Sequence, residues 1–165
     1  MIDRTPTKRS ADAIGRAALQ LLVSGDVGDE SLRRSSIVAP AVPVLVPGAG
    51  LHSWFVPVTL GDRLVAFFQF LPDGTLMRFS SFPRRSGESG GCPAAADWLD
   101  RERMQTRAAG QRQTGETIGE PFLTFDVTPD RLVWAVPLSR ASGEVRLIYF
   151  AGDAVYTSSP AGGLG

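Results

Sequence analysis

The sequence predicts an α+β protein made by tandem duplication, in which each copy is a helix followed by an antiparallel β-meander. Three observations support this fold class. A Trp-x-Val-Pro motif occurs twice at one offset, apolar residues alternate around each motif, and a helical pattern precedes each strand-rich section. We expect about eight strands and two helices, with a pseudo-two-fold axis relating the copies.

The repeat is clearest in the middle of each copy. An offset of 80 residues aligns residues 42–70 with residues 122–150 without a gap, and it places Trp54 on Trp134. Because tryptophan and proline are both rare, a motif that contains them seldom recurs by chance at one offset. The repeat therefore indicates that the two halves share one local structure.

Each motif has the pattern of a β-strand. Alternate residues around it are apolar, and many of them are aromatic or β-branched, which is typical of strands. Proline cannot donate a hydrogen bond to a β-ladder. We therefore expect Pro57 and Pro137 at a bulge, a strand end or a sheet edge.

The first copy starts with a predicted helix over residues 10–23, which Gly25 is placed to end. The composition of residues 26–36 indicates a loop. The uncharged run 35–61 has the length of a membrane span, but its prolines and glycines prevent a helix in lipid and indicate extended strands. Further strands are predicted over residues 63–70 and 75–82.

The second copy repeats this order. A helix is predicted over residues 93–109, with Pro93 in its first turn and Gly110 at its end. Strands follow around Trp134, over residues 145–150 and over residues 154–158. The expected organisation is a first repeat over residues 1–83, a connector over 84–92 and a second repeat over 93–165, either as two units or as one compact domain.

The composition limits the classes of function. The 165 residues carry 17 basic and 17 acidic side chains, so no overall charge favours nucleic acid. The single Cys92 and single His52 exclude an intrachain disulfide and a His/Cys metal site, and we expect no metal or other cofactor. With no signal peptide or membrane span in the pattern, and with arginine strongly preferred to lysine, we expect a cytoplasmic bacterial protein.

One short motif points to catalysis. The loop Gly87-Glu88-Ser89-Gly90-Gly91 resembles the glycine-rich nucleophile loop of trypsin-like serine proteases, and His52 precedes it as in that family. The resemblance covers only these residues, and too few residues separate His52 from Ser89 for the two β-barrels that the family requires. A small hydrolase that uses Ser89 and His52, or Cys92 as a reactive thiol, is therefore the alternative hypothesis.

The leading hypothesis is a non-enzymatic binding or accessory protein. The predicted strands are apolar on both faces, and such strands are usually covered on both. The sheet surfaces, or the seam between the repeats, would then hold a protein partner or a second copy of the chain. A further alternative is a small-molecule binder, with Trp54 and Trp134 as the binding residues lining that seam.

Overall fold

The computed structural model describes residues 8–82 and 90–157, and the chain divides into two compact units, Met1–Ala95 and Ala96–Gly165. The described residues form four helices and ten strands, and the strands within each unit pair antiparallel. The predicted α+β class with antiparallel sheet is confirmed. The predicted numbers of elements, about eight strands and two helices, were too low.

The first unit begins with helix α1, Ala11–Ser24, and helix α2, Glu30–Ser35. The Ser10 side chain accepts a hydrogen bond from the N–H of Ala13, and Gly25 ends α1 with a φ of 82°, as the sequence predicts. Helix α2 lies in the segment that composition indicated as a loop. It forms because Asp29 caps it through the N–H of Leu32, at 2.9 Å.

Five strands complete the first unit, in the spatial order β2-β3-β4-β5, with β1 pairing β3 on the side of β2. Helix α1 packs its buried residues Ile14, Ala18 and Leu22 against one face of this sheet, where Val56 and Phe68 are fully buried. The strands are β1 Ile37–Val38, β2 Val42–Val46, β3 Gly50–Leu60, β4 Arg63–Phe70 and β5 Leu76–Ser81.

The second unit contains helix α3, Ala96–Leu99, and helix α4, Arg101–Ala109. The sequence predicts one helix here, but Asp100 has an extended conformation and caps α4 through the N–H of Arg103. The strand order is β7-β8-β9-β10, with β6 pairing β8. The strands are β6 Glu116–Ile118, β7 Phe122–Phe125, β8 Leu132–Arg140, β9 Val145–Ala151 and β10 Ala154–Thr157.

Both motif prolines lie where the neighbouring strand is interrupted. Pro57 separates the part of β3 that pairs with β1 from the part that pairs with β2, and Pro137 separates the β6 and β7 pairings of β8. Each proline carbonyl accepts one hydrogen bond from the interrupting segment, from Ala39 at 2.9 Å and from Gly119 at 2.8 Å. The missing proline N–H therefore faces a local gap in the ladder.

The chain around Pro93 belongs to the first unit. Leu64 N–H donates to the Pro93 carbonyl at 2.9 Å, Ala95 N–H donates to the Asp62 carbonyl at 2.8 Å, and Ala94 bridges to Arg63. These hydrogen bonds hold the chain around Pro93 beside the start of β4. Among the described helices, none has both the length and the apolar character needed to cross a membrane.

Candidate functional site

His52 lies beside a buried polar chain on the sheet of the first unit. Its Nδ1 is 3.1 Å from Ser53 Oγ, and Gln69 Nε2 donates to the same hydroxyl at 2.9 Å. Arg78 Nε in turn donates to Gln69 Oε1 at 2.9 Å. Ser53 is fully buried, so no substrate can reach its hydroxyl. The chain of hydrogen bonds satisfies buried polar groups and fixes the strand pairing.

The other residues predicted as catalytic do not form an active site in the described part of the chain. Ser89 and residues 87–88 of its loop lie outside the described residues. Cys92 is 4% exposed, and burial raises the pKa of its thiol although the charge of Arg63 opposes this. Cys92 also lies four residues before α3, away from a helix N-terminus. Its thiol is therefore protonated and inaccessible at neutral pH.

Trp54 and Trp134 are both core residues of their own units, at 8% and 1% exposure. They occupy matching ladder positions, because Trp54 pairs with Phe70 and Trp134 with Phe150. Their indole N–H groups differ. Trp134 Nε1 donates to the Trp98 carbonyl at 3.1 Å, whereas Trp54 Nε1 is buried and has no hydrogen-bond partner among the described residues.

A buried carboxylate organises one end of the second unit. The Glu116 side chain is 1% exposed and is bound by Arg146, whose Nε lies 2.6 Å from Oε1 and whose second nitrogen lies 2.8 Å from Oε2. The hydrogen bond from Arg146 outweighs desolvation and lowers the pKa of Glu116 to about 2, helped by the Gln113 N–H and by Arg140. The paired charges make this cluster a structural link between β6 and β9.

A second polar cluster joins β10 to the loop after β7. Tyr156 Oη donates to Asp126 Oδ2 at 2.5 Å, Arg131 Nε is 3.3 Å from the same oxygen, and Tyr149 stacks on Tyr156. Burial and the bond to Asp126 raise the pKa of Tyr156 to about 12. Among residues 8–82 and 90–157, no group of three or more His, Cys, Asp or Glu side chains could hold a metal ion.

The best candidate for a functional site is an open groove in the first unit, between one flank of α1 and the segment that contains β1. We name it the α1–β1 groove. Its volume is about 600 Å³, and most of its lining is apolar. It is lined by Ala11, Asp12, Gly15, Arg16 and Leu19 from α1 and by Ser36, Ile37, Val38, Ala39, Pro40 and Ala41 from the opposite wall.

Gly15 is the informative residue of this groove. It lies in the interior of α1, where glycine costs about 1 kcal/mol relative to alanine. A Cβ built on Gly15 would meet no atom of the described residues within 4 Å, so packing among these residues does not require a glycine here. The absent side chain instead leaves the helix backbone open to close approach from the groove.

The groove also exposes apolar side chains and leaves a hydroxyl without a partner. Leu19 is 49% exposed and Ile37 is 68% exposed, one on each wall. Ser36 Oγ is buried and has no hydrogen-bond partner among the described residues.

The sequence carries one signal for this groove. Gly15 interrupts the apolar and alanine-rich pattern of the first helix, and a glycine inside a helix usually has a packing or functional reason. Comparisons of the chain with protein-family models, with curated proteins and with solved structures found no match. The function must therefore be argued from the groove.

Proposed function

We propose that this protein is a non-enzymatic binding or accessory protein that holds a protein partner at the α1–β1 groove. Gly15 is the observation that carries the proposal. A helix-interior glycine that no contact among the described residues requires lowers the stability of α1, and it opens the groove to a partner. The exposed Leu19 and Ile37 supply the apolar contacts that such a partner would bury.

We also propose that the two units arose by tandem duplication. Matching residues have matching ladder partners: Pro57 pairs with Phe67 and Pro137 with Leu147, as the sequence offset requires. The helical parts match less well, since α1 is one helix and its counterpart is broken at Asp100. The α1–β1 groove depends on α1, so we assign partner binding to the first unit and place the protein in the cytoplasm.

The experiment begins with the tagged chain purified from its source, and every protein recovered in stoichiometric amount is identified. Each is then produced alone and titrated calorimetrically against the wild-type chain, Gly15→Gln and the control Gln20→Ala, which is on α1 outside the groove. We expect Gly15→Gln to weaken binding at least about tenfold, because its side chain fills the groove, and Gln20→Ala to leave it unchanged.

Two results would contradict this function. One is a purified partner that binds the wild-type chain and Gly15→Gln equally well. The other is the absence of any reconstituted partner together with labelling of the native chain by a serine-directed or thiol-directed activity probe. The second result would favour the hydrolase alternative, and loss of labelling in Ser89→Ala or Cys92→Ala would identify the nucleophile.

A further inference from the structure

We infer that the α1–β1 groove binds its partner as an extended peptide segment that pairs with the open edge of β1. This inference rests on the proposed function and adds the conformation and chemistry of the bound segment. It derives from the hydrogen-bond pattern of β1, from the residues at the base and wall of the groove, and from the charges along α1.

Among the residues that the structure describes, the backbone donor and acceptor at the edge of β1 have no partner. Val38 pairs with Val58 of β3, and the next residue, Ala39, donates its N–H to the Pro57 carbonyl at 2.9 Å. Hydrogen bonds alternate along an antiparallel strand, so the N–H and C=O of Val38 point away from β3. Within the described residues β1 pairs with β3 alone, which leaves this edge open to another strand.

The residues beside Val38 suit a short added strand. Ser36 lies at one end of β1 with its hydroxyl buried, so the contact with the peptide is made by the backbone edge. Pro40, at the other end, has no N–H and so leaves no donor unpaired. Gly15 on the facing helix allows the peptide backbone or an apolar side chain to approach α1 closely.

Charges on α1 specify the segment further. Asp12 and Arg16 are exposed, lie one turn apart on the groove side of the helix, and make no ion pair with the described residues. A segment with a basic side chain near Asp12 and an acidic side chain near Arg16 would complement both charges. The expected ligand therefore has alternate apolar residues facing Leu19 and Ile37 and is flanked by residues of opposite charge.

The first probe is a phage-displayed library of random peptides about twelve residues long, selected on the wild-type chain alone, so that the response of the selected peptides to Gly15→Gln remains an independent result. We expect the selected peptides to share alternating apolar residues. The best peptide is then synthesised with a single N-methyl group at each position in turn. Methylation removes one backbone donor without changing the protein, so the test does not depend on a variant that folds.

The pattern of N-methyl effects decides the inference. An extended segment on the Val38 edge predicts losses of about tenfold at alternate positions and small effects between them. Val38→Pro should weaken binding by a similar factor, Ser36→Ala should leave it unchanged because the hydroxyl is buried, and Arg16→Glu should weaken binding of peptides selected for an acidic residue. Gln20→Ala is again the control.

Failure of the inference can be separated from failure of the proposed function. If Gly15→Gln weakens binding but the losses follow helical spacing or are uniform, the segment is not extended and only the inference is overturned. The same holds if a purified folded partner binds the groove while the library yields no peptide. If neither peptides nor partner respond to Gly15→Gln, both are overturned.

Discussion

The two motif tryptophans provide a matched test of how each unit is stabilised. Trp54 and Trp134 are both buried on β-strands and pair with Phe70 and Phe150, so a Trp-to-Phe change removes the same atoms from similar surroundings. Of these two indoles, only that of Trp134 has a hydrogen-bond partner in the described part of the chain, the Trp98 carbonyl at 3.1 Å. Trp134→Phe therefore breaks a bond, while Trp54→Phe removes a buried donor that has none.

The magnitude follows from these contacts. The cost of the smaller ring is similar in both variants and largely cancels in their difference. Loss of the Trp134 hydrogen bond lowers the free energy of unfolding by about 1 kcal/mol. Removal of the unpaired Trp54 donor raises it by about 1–3 kcal/mol. Trp134→Phe should therefore lower the free energy of unfolding by about 2 kcal/mol or more beyond the effect of Trp54→Phe, which is about 4–8 °C in Tm if the 165 residues unfold in one transition.

The assay is urea unfolding followed by far-ultraviolet circular dichroism, because tryptophan fluorescence is changed by the substitutions themselves. If the two units unfold in separate transitions, each variant is compared with the wild-type transition of its own unit. Equal destabilisation by Trp54→Phe and Trp134→Phe, or a larger effect of Trp54→Phe, would refute the reasoning from indole hydrogen bonding.

Two further predictions concern titrating groups. The pKa of Glu116 is lowered from 4.5 to about 2 by Arg146, so this ion pair stabilises the fold above pH 4.5 and loses its effect as the pH falls towards 2. Glu116→Gln should then be less stable than wild type at pH 7 and match it near pH 2, and a gap independent of pH would contradict this assignment. Because Cys92 is buried with a raised pKa, Ellman's reagent should react slowly with the native chain and rapidly in urea. Rapid reaction of the native thiol would show that it is accessible.

The sequence allowed much of the sheet to be predicted because local patterns determine it. The strand over residues 63–70 has the bounds of β4, and Gly25 ends α1, because alternation and the left-handed glycine cap are local signals. The extended run 35–61 covers β1 without giving its bounds, and no pattern indicates β6. Each of these strands has only two or three residues and depends on pairing with a distant strand, so no short pattern predicts its bounds.

The helices show a second limit of structure prediction from the sequence. Asp29 and Asp100 each begin a helix by capping, but both lie in polar stretches where aspartate is equally typical of a loop. The candidate site was harder still to predict. The sequence directed attention to Trp54 and Trp134 as binding residues and to His52, Cys92 and Ser89 as catalytic alternatives. The groove depends instead on a backbone edge and on the absence of a side chain at Gly15.

The central claim is that Gly15 is present for binding at the expense of stability. The most direct test measures both properties in one series, wild type, Gly15→Ala and Gly15→Gln. We expect both variants to be more stable than wild type, Gly15→Ala by about 1 kcal/mol, because each favours the helix more than glycine does. Binding of the selected peptide should weaken slightly in Gly15→Ala and at least about tenfold in Gly15→Gln. A Gly15→Gln variant that binds as tightly as wild type would contradict the account.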